Sequence, residues 1–116
     1  MTEACKVTVD RLGSAAVLHT RGYINNVGGE EIANCAYELM GEGVTVLLLN
    51  LKETKIVNSI GISILIEIVE KMMEKDGKVA FCSLTPVIHK TFQIMGLAQY
   101  AAIYPDETVA RKELPI

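Results

Sequence analysis

No run of basic residues and no basic–aromatic cluster stands out in this 116-residue chain, in which 11 Lys and Arg face 14 Asp and Glu for a net charge of −3. Nucleic-acid binding therefore has no support in composition. The apolar runs fall far short of the roughly 20 residues a membrane-spanning helix needs. Met1-Thr2-Glu3-Ala4-Cys5-Lys6 lacks the basic-then-apolar order of a signal peptide. The expectation is a soluble, cytoplasmic protein with no membrane insertion. Cys5, Cys35 and Cys82 are odd in number, far apart and set within apolar patterns, so they read as small buried hydrophobes rather than disulfide or metal partners. His19 and His89 stand alone, without ligand spacing. A P-loop, a Cys-x-x-Cys pair and a Gly-x-Gly-x-x-Gly turn are all missing. No metal and no cofactor is expected. No composition shift, repeat or low-complexity stretch divides the chain, which reads as one domain over 1–116.

What is present is an apolar half, 50% of residues, enough for an ordinary core. Cys5, Val7 and Val9 alternate with polar neighbours as in a half-buried strand. Arg11-Leu12-Gly13-Ser14 reads as a turn and Ala15 to Thr20 as a second strand, giving a hairpin. Tyr23-Ile24-Asn25-Asn26 reads as a loop. Ile32, Ala36, Leu39 and Met40 give a helical stripe over Glu30 to Met40, with Glu30 and Glu31 near its start, where the helix dipole favours negative charge. Gly28-Gly29 fits poorly inside it, and Gly41 or Gly43 takes the left-handed position that ends it. Val44 to Leu51 is near-continuously apolar, as in a strand buried on both faces. Ser59 to Lys75 is a second helix, with Ile60, Ile64, Leu65, Ile68 and Met72 facing the core. Lys78 to Ser83 is a strand. Thr85 caps a third helix that has Pro86 at its first position, Ile88, Phe92 and Met95 inward, and Gly96 at its end. Tyr100 to Tyr104 is a short strand and Pro105 to Arg111 a short helix. The order β-β-α-β-α-β-α-β-α implies an α/β fold with a mixed, mostly parallel sheet of about five strands and covering helices.

The chain turns on Asn58-Ser59-Ile60-Gly61-Ile62-Ser63, where strand character gives way to helix. Asn58 or Ser59 is a natural N-cap, since a short side-chain oxygen accepts from the free N–H groups of a first helical turn. The stretch is either only a capped helix start or a working surface as well. Ser59 as a hydrolytic nucleophile has no specified base, and the surrounding residues are not a Gly-x-Ser-x-Gly elbow. Beside the core stripe runs a second apolar line, Ile62, Ile66, Val69 and Met73. It reads either as a contact with a neighbouring helix or as a docking surface starting at the junction.

Three features taken in one order make the chain resemble the STAS domain, specifically the single-domain bacterial anti-sigma factor antagonists. They are the Leu-rich strand, the loop leading to Ser59-Ile60-Gly61-Ile62, and the segment running from Gly77-Lys78-Val79 through Thr85-Pro86-Val87 to Gly96-Leu97. Gly22-Tyr23-Ile24-Asn25 stands where the family carries Gly-x-x-Asp. The resemblance covers Val7 to Ala110. It implies a non-enzymatic module that binds an anti-sigma factor, often itself a serine kinase, and so regulates transcription. Partner contacts are expected from Asn25, Asn58, Ser59, Ile60, Gly61, Ile62, Ser63 and Ile66. In such proteins the kinase phosphorylates a hydroxyl directly before the Gly of Asp-Ser-Ser/Thr-Gly. Aligned on Gly61, that position is Ile60, the Asp is Asn58, and the loop Asp is Asn25. The usual phosphoserine switch is thus expected to be absent, with Ser59 the remaining candidate for phosphorylation. The resemblance also leaves open a STAS subunit of a larger regulatory scaffold or transporter complex, and a homo-oligomer.

Overall fold

In the computed structural model, which describes residues 5–116, Lys6–Leu12 (β1) and Ala15–Arg21 (β2) form the expected antiparallel hairpin, with Thr8 opposite His19 and Val9 opposite Leu18. Val46–Glu53 (β3) pairs parallel with β2, Lys78–Cys82 (β4) with β3, and Ala102–Tyr104 (β5) with β4. The strand order is β1-β2-β3-β4-β5, the mixed, mostly parallel sheet implied by the pattern. Asn26–Gly41 (α1), Ser59–Glu74 (α2) and Pro86–Ile94 (α3) connect the parallel strands, and Glu107–Glu113 (α4) follows β5. A 3-10 turn at Leu97–Gln99, entered through Gly96 at φ 82, has no counterpart in the sequence reading.

Side chains alternate along a strand, so β3 serves two cores. Leu47, Leu49 and Leu51 face one side, where α1, α2 and α3 supply Ile32, Leu65 and Phe92. Phe81 of β4 meets Phe92 of α3 edge to face, centroids 5.0 Å apart. Val46 and Leu48 face the other side with Ala15, Val17, Ala80 and Cys82, covered by Ala110 of α4 and by Leu114 just after it. A single hand of crossover with an order that never reverses sends every connecting helix to one face. Such an order also creates no switch-point crevice of the kind that holds ligands in doubly wound sheets. No helix among the described residues is long and apolar enough to cross a membrane.

Several local readings are corrected. The helix expected from Glu30 starts at Asn26 and runs through both glycines. They are there for space. A Cβ on Gly28 would lie 2.8 Å from Cys5 Cβ, and one on Gly29 would lie 2.8 Å from Ile64 Cδ1. Glu30 and Glu31 consequently sit beyond the first turn, which carries no acid. Ile60 and Met95, expected inside, are exposed, and so is Val9 on the edge strand β1. Gly43, at φ 94, takes the left-handed position after α1.

Candidate functional site

The loops that leave β2 and β3 are zipped together. Gly22 N–H donates to Glu53 O at 3.3 Å, Ile24 N–H to Ile56 O at 3.0 Å, and Asn58 N–H to Ile24 O at 3.1 Å, so Ile24 and Val57 form a parallel bridge beyond the named strands. Beneath them the hydroxyls of Thr20 and Thr54 hydrogen-bond at 2.7 Å in a fully buried setting. Ile24 is itself buried. A Cβ on Gly61 would run into the Ile24 carbonyl oxygen and lie 2.9 Å from its Cγ2. Only a bare backbone lets the first turn of α2 rest on that loop. The extension of sheet pairing past the strand ends thus brings the starts of α1 and α2 together.

Those starts are two copies of one device. Asn25-Asn26-Val27-Gly28 and Asn58-Ser59-Ile60-Gly61 both read Asn-polar-aliphatic-Gly. Asn25 Oδ1 accepts from Gly28 N–H at 2.9 Å, and Asn58 Oδ1 accepts from Gly61 N–H at 2.7 Å. Both asparagines are N-caps, with the extended backbone that position takes. In each copy the aliphatic residue before the glycine points to solvent: Val27 is 59% exposed and Ile60 54%. Ile56, in the zipped loop itself, is 57% exposed.

The structure brings Asn25 to the same edge as Asn58, Ser59 and Ile60. Ser59 is exposed, and the exposed Ser63 hydroxyl donates to Ser59 O at 3.0 Å. Ile62 is corrected: its side chain is 0% exposed and belongs to the main core, as does Val69. Gly61 is buried and Ile66 half-buried. The second apolar line of α2 therefore does not lie on the surface; of its four members only Met73 is exposed. Val27 and Ile56 were missed. The signal for Val27 was in the sequence, since the repeat of Asn-polar-aliphatic-Gly gives Val27 the environment of Ile60.

Electrostatically the edge is quiet. The caps need an acceptor, which an amide oxygen supplies as well as a carboxylate, but asparagine brings no charge to the helix N-termini. Cys5 packs under the start of α1, and burial pushes its thiol above its ordinary value, as it does Cys35. Burial raises Cys82 to about 11, despite a hydrogen bond with Ser83. All three are free thiols on the protonated side at neutral pH, as packing cysteines are. Among the described residues no group of His, Cys, Asp and Glu is placed to hold a metal ion.

Residues 6–110 match the STAS domain family. The chain belongs to that family. A curated relative, the anti-sigma F factor antagonist of Paenibacillus polymyxa, is 27% identical over 70 residues, covering 60% of this chain and 60% of that protein. An anti-sigma factor antagonist from Mycobacterium paratuberculosis superposes with a TM-score of 0.82 at 18% identity, over 94% of this STAS chain and 92% of the other. The antagonist SpoIIAA in its unphosphorylated form gives 0.78 at 16% identity, over 92% and 95%. These structural likenesses show the fold. The STAS fold places the doubled Asn-polar-aliphatic-Gly device at the ends of β2 and β3, where Asn25 and Asn58 occupy the two positions at which the resemblance expects acids.

Proposed function

We propose that this STAS chain is a non-enzymatic interaction module that binds an anti-sigma factor or a related serine kinase, and so regulates transcription, through the edge built by the first turns of α1 and α2. The observation that carries the reading is the pair of outward aliphatic side chains, Val27 and Ile60, each presented by an identical asparagine-capped turn. Folding does not need them exposed. A partner that covers them gains apolar burial at no cost in reorganisation, because both turns are pinned by the zipped loops. The kind of partner comes from the relatives, which are anti-sigma factor antagonists.

The same edge lacks the family's customary switch. A phosphate on the residue before Gly61 would bring about −1.5 to −2 charges into a docked surface, and Ile60 has no hydroxyl to receive it. SpoIIAA is solved in both unphosphorylated and phosphorylated forms; this chain is read as standing permanently in the first condition at that position.

Titration calorimetry against purified anti-sigma factors from the same organism tests the reading. The parent chain binds, and Ile60→Glu or Val27→Glu weakens binding by about tenfold or more, roughly 1.4 kcal/mol, with an unchanged Tm. Equal binding by both variants and parent would move the interface elsewhere. Phosphate mapped to Ser59 or Ser63 after incubation with the kinase and ATP would remove the absence of a switch. A large self-assembly in size-exclusion chromatography would favour the scaffold-subunit alternative.

A further inference from the structure

We propose that the open half of the sheet's second face, across β1, β2 and β3 and on the opposite side of the sheet from α1 and α2, is a binding site for a small phosphate-bearing ligand. α4 has seven residues, a length of about 10 Å. It cannot cover a five-stranded sheet roughly 19 Å across. Where its cover stops, all three strands change character together. Along β2 the residues facing this side pass from Val17 to His19 and Arg21; along β3 they pass from Leu48 to Asn50 and Lys52; β1 adds Thr8 and Lys6. The register sets Thr8 beside His19, His19 beside Asn50, and Lys6 beside Arg21. The pairing of β2 with β3 is irregular between His19 and Arg21. Such irregularities re-aim side chains, and this one sets Arg21 opposite Glu53.

These side chains surround a cavity of about 270 Å³. Three of them, Lys6, Arg21 and Lys52, carry fixed positive charge in a chain whose net charge is −3. The acids nearby are already engaged. Glu53 lies 3.6 Å from Arg21 Nε. Glu107, at the rim, accepts from Asn50 Nδ2 at 3.0 Å and from Arg111 Nε at 2.9 Å, and lies 3.6 Å from His19 Nε2. Among the described residues neither the Lys6 nor the Lys52 ammonium has an ion-pair partner. Two ammonium groups and the Thr8 hydroxyl, beside the Arg21–Glu53 pair, leave the hollow with a surplus of donors and of positive charge. That set suits a doubly charged oxyanion better than a carboxylate or a neutral ligand. The volume exceeds that of a phosphate ion, leaving room for a small organic body, as in a phosphate monoester. The residues are partly solvated, so binding is weak and salt-dependent.

Amide chemical shifts of the full chain, followed by NMR during parallel titrations with inorganic phosphate and glycerol 3-phosphate at low, matched ionic strength, test the site. Saturable shifts are expected at residues 6–8, 19–21 and 50–53, weakening at least about tenfold in a Lys6→Gln/Lys52→Gln variant whose remaining spectrum is unchanged. Tighter binding of the ester assigns the ligand to an organic phosphate; equal binding assigns it to the free ion. Shifts that never saturate, that centre on the first turns of α1 and α2 instead, or that persist unchanged in the double variant overturn the proposal.

Discussion

Two isoleucines two positions apart carry opposite duties. Ile60 is exposed in the first turn of α2, whereas Ile62 is wholly inside the core. Ile62→Glu would bury an unpaired carboxylate and is expected to unfold the chain, with a loss above about 4 kcal/mol in urea titration. Ile60→Glu puts an acid at a helix N-terminus, where the dipole favours it, and is expected to leave the urea midpoint within about 0.5 kcal/mol of the parent. The caps separate structure from charge in the same way. Asn58→Ala forfeits the bond to Gly61 N–H and should cost about 1 kcal/mol, whereas Asn58→Asp keeps it and should cost nothing. Tyr37 supplies a pH dependence. Its hydroxyl donates to Glu67 Oε1 at 3.2 Å. Burial first, and then the Glu67 charge and that hydrogen bond, push it from an ordinary 10 to about 12. A raised value in the folded state means its contribution is complete below about pH 10 and is lost as pH rises toward 12. Tyr37→Phe should flatten stability over that window; an alkaline limb identical in parent and variant would assign it to other groups.

At the scale of the element, what the sequence hid is a matter of phase and of space. α2 carries apolar residues at 60, 62, 64, 65, 66, 68, 69, 72 and 73, so helical periodicity alone fits more than one core-facing stripe. The zipped loop selects among them, because Gly61 must lie on the Ile24 carbonyl, and that turns Ile62, Leu65 and Val69 inward and Ile60 outward. Hydrogen bonds between loops leave no periodic trace in either loop. The start of α1 was hidden for a related reason: glycine reads as a breaker, yet at Gly28 and Gly29 it is required by Cys5 and Ile64. What was legible had local causes, such as Thr85 and Pro86 opening α3 and the two-sided apolar run of β3. The glycines make a paired prediction. Gly61→Ala forces backbone against backbone and should lose about 3 kcal/mol, the upper end of overpacking costs. Gly41→Ala, at the last position of α1 with nothing within 4 Å of the added methyl, should gain about 0.4–1 kcal/mol. Calorimetric Tm values of opposite sign check both.

The molecule as a whole is lopsided. Three helices cover one face of the sheet and a single seven-residue helix covers part of the other. β2 and β3 can be apolar on both sides only because α4 returns across them, held by Ala110 and Leu114 against Val17, Leu48 and Cys82. Arg111 bridges Asp10 of β1 at 3.0 Å and Glu107 at 2.9 Å. Being largely surface pairs, these add at most about 1 kcal/mol, so apolar contact is what fixes α4. Leu114→Ala should therefore cost about 2 kcal/mol, and Arg111→Ala less than half of that. Truncation after Tyr104 goes further, since it opens the apolar strip of Ala15, Val17, Val46 and Leu48 to water. The truncated chain is expected to bind a hydrophobic dye and to associate, because a strip of that kind on a twisted sheet is a ready surface for another copy. Static light scattering and dye fluorescence on the two lengths decide the point. A truncated chain that stays monomeric, leaves the dye dark and keeps the parent Tm would mean that the second face is stable without its helix.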